Sequence, residues 1–134
     1  MFVPTSKASP IKMPAKPAGA QWNDAPKYVD NLNWRRDGQG VVPSGNQQLF
    51  TLPVSGGTPR QITNTAHNHT GAVWGNDVRK LYFSANLRDD SEYEIMDSDL
   101  YSVDISDGTL TKLTDRYGPD GSPQISPNGK QIAY

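Results

Sequence analysis

Between Leu100 and Tyr134 the chain alternates short apolar runs with polar turn signals. Leu100, Tyr101, Val103 and Ile105 form one run; Leu110 and Leu113 form a second, among Thr109, Thr111 and Thr114; Ile132-Ala133-Tyr134 forms a last. Aliphatic, aromatic and threonine residues in such short runs predict strands. Asp107-Gly108 and Pro127-Asn128-Gly129-Lys130 separate them. Glycine accepts the positive φ that tight hairpin turns require, and the proline ring presets its own φ at the value a turn's first corner needs.

The same design stands 51 positions earlier. Leu49-Phe50 precedes Leu100-Tyr101 by that offset, Gly56-Gly57 precedes Asp107-Gly108, Ile62-Thr63 precedes Leu113-Thr114, and Trp74 precedes Ile125. A constant spacing in a strand-and-turn sequence predicts repeated four-stranded units, the blades of a β-propeller. A sandwich of similar hairpins has no need of it. The fold expected is therefore all-β, a partial β-propeller of about two and a half four-stranded antiparallel blades.

On this reading residues 1–28 form a Pro/Lys-rich extended segment, with Pro4, Pro10, Pro14, Pro17 and Pro26 among Lys7, Lys12, Lys16 and Lys27. Proline fixes φ and removes a donor, so little ladder is expected there. Residues 29–63 make one blade, with strands at Tyr28–Trp34, from Val41, at Leu49–Val54 and at Pro59–Thr63. Residues 64–122 make a second, with strands at Ala72–Trp74, Leu81–Phe83, Leu100–Ile105 and Thr109–Thr114. The step from Val41 to Leu49 is 8 and that from Leu81 to Leu100 is 19, so the second blade carries an 11-residue insertion in Asn86–Ser98. Residues 123–134 supply the first two strands of a third blade. Trp34 and Trp74 occupy matching inner positions and are expected to pack between blades. Blades bury their faces on neighbours, so the open ends predict either a segment of a larger ring or self-association through open blade faces.

Composition narrows the chemistry. The chain has 134 residues, no cysteine, 12 glycines and 11 prolines, and a formal net charge of −1 from 13 basic and 14 acidic residues. Near-neutral charge gives no electrostatic ground for nucleic acid or a membrane as partner. The lack of cysteine excludes thiolate metal sites and a cysteine nucleophile. No apolar run has the length of a bilayer span, and the lysine-bearing N-terminus has no apolar core of signal-peptide length. Compartment is not legible; bacterial cytoplasm and periplasm both fit.

Ser126–Tyr134, SPNGKQIAY, is similar to the SPDGK-x-IAY/F phrase of propeller repeats in the prolyl oligopeptidase family and in the periplasmic Tol-system propeller. Leu49–Thr63 resembles another repeat ending of the same kind. Asn31–Gly38 (NLNWRRDG), Leu81–Asn86 (LYFSAN) and Leu113–Pro123 (LTDRYGPDGSP) resemble the N-terminal propeller of acylaminoacyl-peptidase and dipeptidyl-peptidase-like members of the prolyl oligopeptidase family. The resemblance implies a non-catalytic gating propeller of a serine peptidase that hydrolyses short peptides. Its partners would be the rest of the propeller, a C-terminal α/β-hydrolase domain and a peptide substrate. The alternative is a non-enzymatic Tol-system-like propeller that scaffolds another protein. No Gly-x-Ser-x-Gly occurs in the chain, so no catalytic residue is expected here and the chain alone should be inactive.

Strand alternation places residues 64–71, 86–98 and 115–122 on one face of the blades. The candidate residues there, for contact with substrate or with the catalytic domain, are His67, His69, Arg88, Tyr93, Glu94, Arg116 and Asp120. His67-Asn68-His69 is the one histidine cluster, but no carboxylate at metal-site spacing supports it, and neither metal nor cofactor is expected. Glu92 and Glu94 are separated by Tyr93, unlike the adjacent glutamates with which dipeptidyl peptidases hold a substrate amine. Arg116 and Asp120 either bridge two blades or face the catalytic domain.

Overall fold

The computed structural model describes residues 1–5, 12–23 and 26–134. Lys7 and Pro10 lie outside the described residues, among which every regular element is a strand. The centre is a four-stranded antiparallel sheet in sequence order: β7 (His69–Trp74), β8 (Lys80–Ala85), β9 (Asp99–Asp104) and β10 (Leu110–Lys112). Before it come β1 (Phe2–Pro4), β2 (Arg35–Arg36), β3 (Gly40–Val41), β4 (Gly45–Gln47), β5 (Phe50–Thr51) and β6 (Arg60–Gln61); after it come β11 (Gln124–Ile125) and β12 (Ile132–Ala133). The smaller pairs are β1–β4, β2–β3, β5–β6 and β11–β12, all antiparallel. This is an all-β, partial propeller.

The spacing of 51 is written into individual hydrogen bonds. Thr63 Oγ1 accepts the Leu49 N–H at 2.9 Å, and Thr114 Oγ1 accepts that of Leu100 at 3.0 Å. Leu49 O accepts from Ile62 N–H at 2.8 Å, as Leu100 O does from Leu113. The turn after β7 repeats in the turn after β11: Gly75 N–H donates to Lys80 O at 2.8 Å and Ser126 N–H to Gln131 O at 2.9 Å. Asp77 Oδ1 and Asn128 Oδ1 each accept, at 3.0 Å, the amide two residues on. Aspartate and asparagine thus do the same work, as expected of side chains that mimic a backbone turn.

One member of this pair of turns is strained. Gly129 has φ 69°, and its counterpart Val78 has φ 50°. A β-branched side chain in the left-handed region costs about 1–2 kcal/mol. Val78→Gly is therefore expected to stabilise the fold by roughly 1 kcal/mol, after the extra entropy of an unfolded glycine is subtracted. A rise in the urea midpoint would show it; a fall would mean that the Val78 side chain contributes more than its backbone costs.

Alternation gives the central sheet two inner faces. Leu81, Phe83 and Ala85 of β8 share one face with Tyr101 and Val103 of β9, through the register Leu81↔Val103 and Phe83↔Tyr101. These five form the buried core, against which Leu49, Ile62, Leu87 and Ile105 pack. Leu49 and Ile62 come from the preceding unit, so this face is the inter-blade core. The opposite face carries Ser84 and Leu100, and there the following connection docks: Ser84 Oγ donates to Asp120 O at 2.6 Å, and Pro123 is fully buried.

The preceding unit departs from expectation at its inner strand. Tyr28, Val29 and Leu32 form no strand; pairing begins at Trp34, whose carbonyl accepts from Val42 N–H at 2.8 Å. The rest of the inner position is filled by the N-terminal segment. Phe2↔Gln47, Val3↔Asn46 and Pro4↔Gly45 are partners, and Thr5 N–H donates to Ser44 O at 3.0 Å. Residues 2–5 and 34–36 thus lie end to end along 40–47 as one composite strand. Pro4 and Pro43 both sit at non-hydrogen-bonded positions of this ladder, where a missing N–H costs nothing. Gly45, at φ 149°, lets the backbones approach: a Cβ there would stand 2.7 Å from Pro4 Cα.

Trp34 and Trp74 do not form the inter-blade core. They are 42% and 47% exposed, and Leu49 and Ile62 take the place expected of them.

Candidate functional site

The three connections expected to share a face meet there. Ser91 Oγ lies 3.3 Å from His67 Nδ1, Tyr117 Oη donates to Glu94 Oε2 at 3.3 Å, and Gly118 N–H donates to Asp97 Oδ1 at 3.1 Å. Asp120 N–H donates to Ser98 O at 2.8 Å, and Ser98 Oγ returns a bond to Asp120 O at 3.0 Å. The inserted loop, residues 86–98, is braced from within as well. Asn86 Nδ2 donates to Glu94 O at 2.7 Å, and Arg88 bonds Asp90 at 2.8 Å and Asp97 at 3.1 Å. Asp90 holds the Arg88 guanidinium above its ordinary value and is itself held below the usual carboxylate range.

The candidate side chains separate into exposed and buried groups. Tyr93 stands free on the loop with Ile95 and Met96, and Tyr117 joins them from the next connection; Met96, at 61%, is the least exposed of the four. Glu94 is half-buried and ties these two loops together. His67 is half-buried beside Ser91, whereas His69 and Asp120, expected on the loop face, are only 3% and 1% exposed. His69 Nδ1 lies 3.1 Å from Gln47 O, and its ring meets that of Phe83 with centroids 5.0 Å apart. Arg116 grips Asp120 Oδ1 through Nε at 2.9 Å and Nη2 at 2.8 Å, and its guanidinium lies over the Tyr134 ring. Arg116 holds the Asp120 carboxyl below its usual range against the opposing effect of burial. Asp120 O also accepts from Ser84 Oγ and Ser98 Oγ, so the pair is tied to the central sheet, while the Arg116 side chain is 67% exposed.

Burial is the largest influence on His69 and pushes its pKa below 6.5; the Gln47 carbonyl partly opposes it, and the neighbouring His67 reinforces it. The folded state thus keeps His69 neutral where the unfolded chain already takes up a proton. Its contribution to stability is complete above pH 6.5 and is lost as pH falls from there through the depressed value. Stability is expected to fall as pH drops below about 6.5, and His69→Gln to flatten that slope. Urea midpoints across the range check this; an unchanged slope in the variant would remove His69 as its source.

Two features had no sequence signal strong enough to single them out. Gln48, 2% exposed, spends its amide on four partners: Nε2 donates to Thr65 O at 2.8 Å and His67 O at 3.1 Å, and Oε1 accepts from Thr63 Oγ1 at 2.9 Å and Thr65 N–H at 3.3 Å. It shapes the His67 loop. Beside that loop runs a cleft of about 540 Å³, with Arg36 among the lining residues of the first unit and Asp89 and Glu92 among those of the inserted loop. Among the described residues no group of His, Cys, Asp or Glu has the arrangement of a metal site.

Comparison with known proteins agrees with this architecture. Residues 22–134 match the model of the dipeptidyl peptidase IV (DPP IV) N-terminal region. An uncharacterized protein of Agrobacterium fabrum is 31% identical over 93 residues, 69% of this chain and 29% of its own length. The uncharacterized peptidase YuxL of Bacillus subtilis is 32% identical over 62 residues, 46% of this chain and 9% of its own. The Tol-Pal system protein TolB of Francisella tularensis is 33% identical over 60 residues, 45% of this chain and 12% of its own. The chain therefore spans less than a third of the length of each of these relatives. With the four-stranded blade, the 51-residue repeat of bonds and a family match over most of its length, the chain belongs to the family of dipeptidyl peptidase IV N-terminal regions.

Proposed function

We propose that this chain is part of the non-catalytic propeller of a serine peptidase, and that its loop face covers a C-terminal α/β-hydrolase domain so that only short peptides reach the active site. The observation that carries this reading is the cluster of Tyr93, Ile95, Met96 and Tyr117 on that face. Three large side chains held out on a braced loop, with Tyr117 on the connection bonded to it, mark a surface that another body covers. Family membership and the similarity to a peptidase supply the kind of body.

The test uses the whole protein. Hydrolysis of a short acyl-amino-acid or dipeptide substrate is expected, with longer peptides excluded. Replacing Tyr93, Ile95 and Met96 together by serine should preserve short-substrate turnover and admit longer peptides. A whole protein that hydrolyses none of these substrates would reject the peptidase reading. The similarity to a Tol-Pal system protein over 60 residues favours a second reading, a binding scaffold whose same face docks a protein; binding of a protein partner by an inactive whole chain would support it.

A further inference from the structure

The composite inner strand carries a second binding capacity. We propose that the main-chain edge of Ser44–Gln48 is a strand acceptor for an extended peptide, which enters by displacing Met1–Thr5. This goes beyond the peptidase reading and does not depend on it.

The bonds that hold the resident segment come from the backbone. Gln48 N–H donates to Met1 O at 2.8 Å, the Met1 nitrogen donates to Gln48 O at 2.7 Å, and Thr5 N–H donates to Ser44 O at 3.0 Å. Antiparallel alternation makes Val3↔Asn46 the hydrogen-bonded pair between them. Side chains add to these without specifying them closely: Met1 is exposed, Phe2 is 44% exposed with the tip of its ring over Gly45, and Val3 is half-buried. Recognition through main-chain groups tolerates almost any extended sequence, which is how sheets take up peptides as added strands. The edge is also shaped for a close neighbour, since Gly45 offers no Cβ to the backbone opposite. Ser44, Gly45 and Asn46 line the cleft already described, so an arriving peptide has open surface beside the edge.

The resident segment competes as a tethered strand, at an effective concentration on the order of millimolar. The test must therefore weaken it without touching the acceptor. Val3→Pro removes the central N–H of the resident strand and leaves Ser44–Gln48 intact. The opposite variant, Phe2→Cys with Gln47→Cys, joins a non-hydrogen-bonded pair, where side chains lie closest. The chain has no cysteine of its own to interfere.

A fluorescent peptide of sequence MFVPT is titrated into each form of the full chain, followed by anisotropy and with particle size monitored. The expected result is binding to Val3→Pro at least about tenfold tighter than to the unaltered chain. Binding should be lost in the oxidised double-cysteine variant and restored on reduction. Equal binding to the oxidised and reduced variant, or none to Val3→Pro at millimolar peptide, overturns the proposal. Dimers that form in the unaltered chain and in the reduced double-cysteine variant, but vanish when that variant is oxidised, would assign the edge to a second copy and overturn a free peptide as its occupant.

Discussion

Phe83→Ala is expected to destabilise the fold by about 3–5 kcal/mol, the range for removing an aromatic ring from a closed core. Phe83 is fully buried at the middle of β8. Its ring lies 5.9 Å from that of Tyr101 on the neighbouring strand and 5.0 Å from that of His69. It sits on the face against which Leu49 and Ile62 pack. One truncation would therefore loosen two units at once. A domain of this size holds roughly 5–15 kcal/mol in total, so the variant should lie near the edge of folding at room temperature. Denaturant unfolding checks the magnitude. A loss below about 1 kcal/mol would mean that the preceding unit does not rest on this face in solution.

The second large effect is expected at Gln48. Gln48→Leu keeps much of the volume but removes every polar atom of a side chain with four partners. Thr65 N–H, Thr65 O and His67 O would then face an apolar group in a half-closed site. Each orphaned buried group costs about 1–3 kcal/mol, with some regained where the loop relaxes toward water. A net loss of roughly 3 kcal/mol is expected. Gln48→Glu separates the polar network from simple packing: it keeps the shape and Oε1 but sets a carboxylate oxygen against the carbonyls of Thr65 and His67. It should be about as harmful as the leucine at neutral pH and partly rescued on acidification, as the acid regains a donor. A glutamate variant as stable as the parent at every pH would show that the two carbonyls have other donors.

What the sequence made legible follows from how local each signal was. The repeat was visible because its markers, Asp107-Gly108, Asn128-Gly129 and the Ile-Thr and Leu-Thr pairs, act within a few residues of themselves. The bonds of Thr63 and Thr114 are their structural form. The inner strand before Trp34 was misread because Tyr28, Val29 and Leu32 have strand-like character, whereas the position beside β4 belongs to Phe2–Pro4, more than forty residues away in sequence. The shared loop face followed from strand direction alone. Burial within it did not: His69 turns inward toward Gln47 O and Phe83, and Asp120 is pinned by Ser84, Ser98 and Arg116. Those neighbours are set by tertiary packing. Gln48 could have been suspected as a polar residue entering an apolar run, but only its four partners reveal what it does.

The alignment of the two inner segments offers a shortcut through the chain. Thr5 faces Ser44 and Trp34 faces Val42, with Pro43 alone between them on the opposing strand. A single inserted residue suffices to cover that gap at strand rise. Splicing Thr5 to Trp34 through one residue would excise positions 6–33 and join 2–5 to 34–36 in an unbroken strand of about eight residues, two more than the 6 of β7. The miniaturised polypeptide would keep every ladder bond described for that sheet, and its loop-closure entropy would shrink with the lost length.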